Sequence, residues 1–213
     1  MRGADKKYDL VLFDADGTLI DSRARSWQSA ARILAALDAP AAINSIADYE
    51  RHFGRTAVAN RFGERHLPTV RAMHRLAMLS QASEITAFEP VVAIAAGLSV
   101  RRGIVSASWT ETVKRALRTS AAVFDPFLGF DFGTKIEILR PFNNATTLYV
   151  GDTADDAAIC AALGIDFVAV GWGFDSPESL VRTSAIHVAL TATELAAFFA
   201  ARGLMSSLGA VPR

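Results

Sequence analysis

Short apolar runs that end abruptly at polar residues predict the buried strands of this chain. The clearest run extends from Leu10 to Phe13 and stops at Asp14. Helical patterns follow several of these runs, and strands that alternate with helices predict an α/β fold, a Rossmann-like parallel sheet with helices on both faces. The predicted strands cover residues 10–13, 103–106, 147–150 and 167–170, with a brief strand within 123–131, and the predicted helices cover 88–98, 110–119 and 155–163.

A long helical segment interrupts this alternation after the first strand. Its apolar residues recur at helical spacing over 27–37, 43–53 and 70–79, and no convincing strand lies among them. Pro40 and Pro68 separate these patterns, as helix boundaries would. We therefore expect a core domain of residues 1–21 and 86–203, an inserted all-helical domain of residues 22–85, and a disordered tail over 204–213.

Composition narrows the classes of partner. The 213 residues are 51% hydrophobic and 21% charged, with zero formal net charge, so neither nucleic acid nor an anionic membrane is an expected partner. No apolar stretch approaches the ~20 residues of a membrane span, and the N-terminal residues do not resemble a signal peptide. We expect a cytoplasmic protein, a monomer or homodimer, whose single cysteine, Cys160, is a buried thiol.

Two acids stand at the end of the first strand. Ligands of open α/β sheets bind at the carboxyl ends of the strands, so Asp14 and Asp16 lie where catalytic groups are usually found. Asp16-Gly17 could also be a plain hairpin turn, but a turn does not need a second acid. This stretch is therefore the first candidate for a catalytic site.

A second acidic group follows the strand at 147–150. Asp152, Asp155 and Asp156 fall within five residues and would repel one another unless a cation sat among them. The alternative is a helix whose first turn carries favourable acids. A hard divalent ion explains the cluster better, although either Asp155 or Asp156 could be the acid that supports it.

Two weaker candidates complete the set. Ser106 and the amides after it, beginning with Ala107, could bind a phosphate oxygen at a strand-to-helix turn, although a serine there is more often a helix cap. Lys135 is one of only four lysines beside eighteen arginines, and the alternative for it is a solvated residue in the first turn of a helix.

These stretches together resemble a known family. FDADGTLIDS, which begins at Phe13, resembles the DxDGT motif of the haloacid dehalogenase (HAD) superfamily in its phosphatase branch, and GDTADD, which begins at Gly151, resembles its GDxxxD signature. GWGFDSPESL, which begins at Gly171, is similar to a segment of phosphoglycolate phosphatase-like members. Ile136 departs from the pattern, since the family usually has proline after its lysine.

The resemblance implies a mechanism. It implies an aspartate nucleophile at Asp14, an acid/base at Asp16, and an aspartyl-phosphate formed from a small phosphorylated metabolite. It also implies phosphate or substrate binding by Gly17, Thr18, Ser106, Ala107 and Lys135, and Mg2+ held by Asp14, the Asp16 carbonyl, Asp152 and Asp156. The inserted helices would be a cap that closes over the site.

The inserted helices are rich in arginine. Residues 22–85 carry nine arginines against five acidic residues, and three pairs recur at i,i+4 spacing: Arg51 and Arg55, Arg61 and Arg65, and Arg71 and Arg75. Like charges at this spacing destabilise an isolated helix. We hypothesise that Arg51 and Arg55 face the site and bind a second anionic group of the substrate. A solvated helix face is the alternative.

Other functions on related scaffolds remain as alternatives. A hydrolytic dehalogenase would need neither a metal nor an acid at Asp16. Sugar-phosphate mutase relatives have a histidine soon after this acid, and phosphonate-cleaving relatives use a cap lysine; neither residue occurs here. A catalytically silent binding or regulatory protein, and a phospho-accepting receiver domain, are the alternatives that are not enzymes. A receiver domain carries no helical insertion.

Overall fold

Six parallel strands form the central sheet of the structure, a computed structural model that describes residues 8–205. The strands are β1 (Leu10–Phe13), β4 (Arg101–Val105), β5 (Phe127–Leu128), β6 (Thr147–Gly151), β7 (Asp166–Val170) and β8 (His187–Ala189). Their spatial order is β5-β4-β1-β6-β7-β8, which places β1 near the middle. The predicted α/β fold with a parallel sheet is confirmed.

The register of the sheet brings several strand ends to one edge. Phe13 is paired with Ile104 on one side and with Val150 on the other, so the residues that follow these three positions emerge together. All four residues of β1 are buried, and its side chains alternate between the two faces of the sheet. Val11 and Phe13 belong to one apolar cluster, whereas Leu10 and Leu12 belong to the other.

A helical insertion follows β1. It comprises α1 (Arg23–Ala36), α2 (Ile46–Phe53), α3 (Arg55–Phe62) and α4 (Leu67–Ser80), and it is flanked by the antiparallel pair β2 (Ile20–Asp21) and β3 (Thr86–Ala87). Its helices bury a third apolar cluster of their own, with Leu34, Phe53 and Val58 among its fully buried members. We did not predict α3, since Val58 is its only buried residue and the apolar pattern is correspondingly weak.

The remaining helices pack on the two faces of the sheet. They are α5 (Glu89–Ala96), α6 (Thr110–Leu117), α7 (Lys135–Leu139), α8 (Ala154–Leu163), α9 (Pro177–Leu180) and α10 (Ala192–Ala201). The predicted helices at 88–98, 110–119 and 155–163 correspond to α5, α6 and α8. Gly164 ends α8 in the left-handed conformation with φ 68°, which glycine adopts without steric cost.

The C-terminal end of the described chain differs from the prediction. Leu204, which we expected to begin a disordered tail, is buried and accepts a hydrogen bond from the Ser99 amide at 2.8 Å. Met205 forms a β-bridge with Leu98. The rest of the predicted tail, residues 206–213, lies outside the described residues, as do residues 1–7 of the predicted core domain. In the described part of the chain, no helix is long and apolar enough to cross a membrane.

Candidate active site

Three carboxylates and one ammonium group meet at the carboxyl edge of the sheet. Asp14 follows β1, Asp152 follows β6, and Asp156 lies in the first turn of α8. One carboxylate oxygen of each lies within 4.8 Å of those of the other two, and all three side chains are buried. The parallel register of β1 and β6 is what brings the first two acids together.

Lys135 completes this group from the first position of α7. Its Nζ lies 3.0 Å from Asp14 Oδ1 and 2.6 Å from Asp156 Oδ1, and its side chain is 12% exposed. The Thr134 amide donates to Glu137 Oε2, a capping interaction that begins α7 and so sets the position of Lys135. The structure therefore excludes the alternative of a solvated lysine, and Ile136 in place of proline does not displace it.

The electrostatics of this group favour a further positive charge. Burial raises the pKa of Asp14 well above its usual value, against the opposing effect of Lys135. Burial would lower the pKa of Lys135, but the charges of Asp14 and Asp156 raise it above its ordinary value. When all three carboxylates are ionised, their charge exceeds that of the single ammonium group, and a bound cation or protonation relieves the excess.

The loops on either side hold the Asp152 carboxylate. Thr18 Oγ1 donates to Asp152 Oδ1 at 2.9 Å, and the Phe174 amide donates to Oδ2 at 2.7 Å. Gly17, with φ 78°, approaches so closely that a Cβ there would overlap the carboxylate. Burial, reinforced by Asp156, raises the pKa of Asp152 to about 7. We predicted substrate binding by Thr18, and this stays a prediction; in the structure its buried hydroxyl orients Asp152.

The structure distinguishes between the two acids of α8. Asp156 is buried, bonds Lys135, and accepts a hydrogen bond from Thr153 Oγ1 at 2.8 Å. Asp155 is exposed and is not part of the carboxylate group. Asp175, which sequence reasoning missed, accepts a hydrogen bond from the Ala154 amide at 2.7 Å and so supports the start of α8.

Asp16 and Ser106 lie at the border between the buried group and an open cavity. Ser106 Oγ is 3.5 Å from Asp16 Oδ2 and accepts a hydrogen bond from the Ser108 amide at 3.0 Å. Ser106 is buried, whereas Asp16 is half-buried and lines the cavity together with Ala107. The predicted strand-to-helix turn thus stands beside the predicted acid/base.

The carboxylate group fits a divalent cation. Hard cations prefer carboxylate oxygens, and three such oxygens converge here. Asp14 Oδ1 is buried and accepts no hydrogen bond in the described structure; its contact with Lys135 is an ion pair. The elevated pKa values of Asp14 and Asp152 agree with this reading, because a bound cation would stabilise both charged forms.

A cavity of about 340 Å3 separates this group from the inserted helices. Asp16 and Ala107 line its core side, and Arg71 and Arg75 of α4 line its cap side. Our hypothesis placed a different pair there. Arg51 and Arg55 are exposed and do not line the cavity, and Arg51 pairs with Asp48 at 3.9 Å.

Several cavity residues were missed by sequence reasoning. The lining also includes Ser22, Ser26, Tyr49, His74, Met78, Ser108, Trp109, Thr112 and Phe174. Arg71 and Arg75 have the same i,i+4 spacing as the other two arginine pairs, so spacing offers no signal that separates them. Only the packing of α4 over the core identifies them.

The fold is that of the haloacid dehalogenase-like hydrolases. A HAD-like family hydrolase from Streptococcus pneumoniae aligns with a TM-score of 0.73 and 19% identity over 90% of this chain and 98% of its own. A protein from Clostridium acetobutylicum described as a predicted phosphatase aligns with a TM-score of 0.74 and 21% identity over 91% and 99%. A HAD family hydrolase from Deinococcus radiodurans, solved with bound phosphate and sodium, aligns with a TM-score of 0.62 and 20% identity over 95% of this chain and 99% of its own.

Sequence comparison adds a relative of a different description. The tyrosine-protein kinase PtkA of Mycobacterium tuberculosis is 27% identical over 202 residues, which cover 86% of this chain and 69% of the relative. No protein-family model matches the chain.

Proposed function

We propose that this protein is a magnesium-dependent phosphatase that hydrolyses a small phosphorylated metabolite through an aspartyl-phosphate on Asp14. The observation that carries the proposal is the Asp14 carboxylate, buried at the sheet edge 3.0 Å from Lys135 Nζ and two residues from Asp16 at the cavity wall. The HAD-like fold and the phosphate bound by one of its structural neighbours support the same reading.

Positive charge is what such a reaction needs most. Attack of a carboxylate on a phosphate monoester brings like charges together, and each unit pair at ~4 Å costs about 4 kcal/mol at an effective dielectric of ~20. Lys135 supplies one positive charge directly beside the nucleophile. Mg2+, held by the Asp14 and Asp152 carboxylates and the Asp16 carbonyl with Asp156 in support, would neutralise phosphate charge when bound.

The reaction then proceeds in two steps. Asp14 attacks phosphorus, the bond to the alcohol oxygen breaks, and the protonated Asp16 gives that oxygen its proton. In the second step, Asp16 accepts a proton from water as the water oxygen attacks phosphorus, which releases phosphate and restores Asp14. Ser106, whose hydroxyl lies between Asp16 and the Ser108 amide, binds a phosphate oxygen.

Phosphate release from a panel of phosphomonoesters tests the proposal. We expect release from wild type with Mg2+, and loss of release when the metal is removed by chelation or when Asp14 is changed to Asn. The Asp14→Asn protein should stay folded, because the substitution keeps the shape and removes a buried charge. Near-normal turnover of a folded Asp14→Asn protein would contradict the proposal. A folded wild type that binds Mg2+ but releases no phosphate would favour a binding or regulatory role.

Transfer of the phosphoryl group to tyrosine is a second candidate. The similarity to a tyrosine-protein kinase over 86% of this chain favours it. In that case Asp14 would take the terminal phosphoryl group of a nucleoside triphosphate, release the diphosphate, and pass the phosphoryl group to a phenolic oxygen instead of water. Labelled triphosphate and a tyrosine peptide distinguish the two: label in the peptide supports transfer, and label only in free phosphate supports hydrolysis.

A further inference from the structure

Two arginines of α4 line the cavity, and neither forms a salt bridge within the described part of the chain, although the Glu50 carboxylate is near enough for Arg71 to oppose the rise of its pKa on burial. Arg71 and Arg75 are both half-buried, and one helical turn separates them. Neither forms an ion pair with any residue in the described range 8–205. Partly buried cations that repel each other at i,i+4 spacing are expensive unless an anion compensates them.

Arg71 retains most of its capacity to bind an anion. Its single hydrogen bond in the described structure is from Nη1 to the Tyr49 hydroxyl at 3.2 Å, an uncharged acceptor. The guanidinium also lies 5.5 Å from the centre of the Phe53 ring. Because a guanidinium has five N–H donors, Arg71 can still make a bidentate contact with a carboxylate or a phosphate.

Arg75 forms no hydrogen bond with any residue of the described range 8–205, and an aromatic ring holds it in place. Its guanidinium stacks on the Phe130 ring, 3.3 Å from the ring centre, which fixes the plane of the group and leaves its edge open. Burial and the neighbouring Arg71 lower the pKa of Arg75, as expected of a cation that lacks a partner. A contact on one face orients the edge of this guanidinium for a planar anion.

A third, independent feature of the cavity also points to a ligand. Ser22 lines the cavity and is fully buried, yet its Oγ has no hydrogen-bond partner in the described structure. Leaving a buried hydroxyl unpaired costs about 1–3 kcal/mol, so such groups usually have a partner. The neighbouring Ser26 does have one, since its Oγ lies 3.3 Å from His74 Nε2.

We propose that Arg71 and Arg75 bind a second anionic group, a carboxylate or a phosphate, on the leaving group of the substrate, and that Ser22 bonds a polar atom of the same leaving group. This inference rests on the proposed phosphatase function. The leaving oxygen would lie at Asp16 on the core side of the cavity, and the second anion at α4 on the cap side. Arg71 and Arg75 thus determine specificity and take no part in the chemical steps.

Matched pairs of esters measure directly how much a second anionic group on the leaving group favours hydrolysis. Ethyl phosphate and phosphoglycolate differ in a methyl group against a carboxylate, and 2-hydroxyethyl phosphate and ethylene glycol bisphosphate differ in a hydroxyl against a phosphate. The readout is the anion preference, defined as kcat/KM of the ester that carries the second anionic group divided by kcat/KM of the matched ester that lacks it. The two pairs separate a carboxylate from a phosphate as the second anion.

We expect Arg71→Gln and Arg75→Gln each to lower the anion preference of wild type about tenfold, the effect of losing a charge-assisted hydrogen bond. The change should fall mainly on KM of the ester that carries the second anionic group. The kinetics of the ester that lacks it should be nearly unaffected. Arg65→Gln is the matched control, because Arg65 is an exposed arginine of the same insertion and lies outside the cavity lining. Arg71→Lys, which keeps the charge, should retain part of the preference.

The outcomes separate this inference from the function on which it rests. Hydrolysis of both members of each pair with a preference that neither glutamine variant changes would overturn the inference alone. A preference that Arg51→Gln or Arg55→Gln abolishes would also overturn it, in favour of the exposed pair. Absence of hydrolysis of every ester by the folded, Mg2+-loaded protein would contradict the phosphatase function and this inference with it.

Discussion

At the scale of single residues, burial raises the pKa of two acids of the site, Asp14 and Asp152. Asp14, Asp152, Asp156 and Lys135 form a nearly solvent-free group in which Lys135 contacts two of the three carboxylates. Asp14 directly follows one predicted strand and Asp152 lies two residues after another, so the sequence alone places both acids at one edge of the sheet. The contact of Lys135 with both Asp14 and Asp156 joins distant segments, and only the resemblance anticipated its role.

His74 offers a test of burial at the residue scale. Burial lowers its pKa from the ordinary 6.5 to about 4, so the unfolded chain binds the His74 proton at a higher pH than the folded chain does. The stability that this residue contributes is therefore fully present above about pH 6.5 and is lost as the pH falls toward 4. We expect His74→Gln to reduce the loss of unfolding free energy between pH 7 and 4.5 by about 2 kcal/mol.

Urea unfolding of wild type and variant at several pH values measures this difference. His66→Gln is the control, because His66 is an exposed histidine of the same insertion. Parallel curves for wild type and His74→Gln would show that His74 titrates alike in the folded and unfolded chains.

At the scale of elements, the sequence predicts what has a strong local pattern. β1, β6 and β7 contain apolar runs with clear ends, β4 is recognised by the short run that ends at Val105, and α8 ends at a glycine in the left-handed conformation. We predicted the insertion as helical but did not predict α3. This helix buries one residue only, so its apolar residues do not show a clear helical spacing. We also made no prediction for β8 and α10, although α10 packs Leu195 and Phe199 into the core.

The choice among the arginine pairs shows why local pattern is insufficient. Arg51 and Arg55 flank the boundary of α2 and α3 on an exposed surface, whereas Arg71 and Arg75 lie on the face of α4 that packs over the core. All three pairs have the same spacing in the sequence. Which pair faces the cavity depends on the packing of whole helices, and neither periodicity nor composition contains that information.

Two helix caps provide a matched test at this scale. Thr153 and Thr191 each accept a hydrogen bond from the backbone amide three residues on, at the start of α8 and α10 respectively. Only Thr153 also donates to a site residue, Asp156. We expect Thr153→Ala and Thr191→Ala each to lower the unfolding free energy by about 1 kcal/mol, because each removes one cap.

The two variants should differ in metal affinity. Thr153→Ala frees Asp156 from its hydroxyl partner and should weaken Mg2+ binding about tenfold, as loss of an outer partner of a metal site typically does. Thr191→Ala should bind Mg2+ like wild type. Calorimetric titration with Mg2+ measures both, and equal affinities in the two variants would show that Thr153 acts only as a cap.

At the scale of the whole molecule, the insertion is attached to the core around the cavity. Arg23 donates to the Gly173 carbonyl at 2.9 Å, Arg118 donates to the Ser83 carbonyl at 3.2 Å, and Arg75 stacks on Phe130. The sequence predicts the two modules, but these contacts join residues far apart in the chain. The first and third of these contacts lie at the cavity, since Ser22 and Phe174, the neighbours of Arg23 and Gly173, line it, as does Arg75.

Covalent trapping of the phosphorylated protein is the most direct test of Asp14 as the nucleophile. Asp16→Asn removes the base of the second step, whereas nitrophenolate, a good leaving group, needs no proton in the first. The variant, given 4-nitrophenyl phosphate and Mg2+, should release about one equivalent of nitrophenolate and stall. Borohydride then reduces an acyl phosphate to an alcohol, and peptide mass analysis locates it. We expect reduction at Asp14 alone; a burst of nitrophenolate with reduction at another residue, or at none, would rule out Asp14 as the nucleophile.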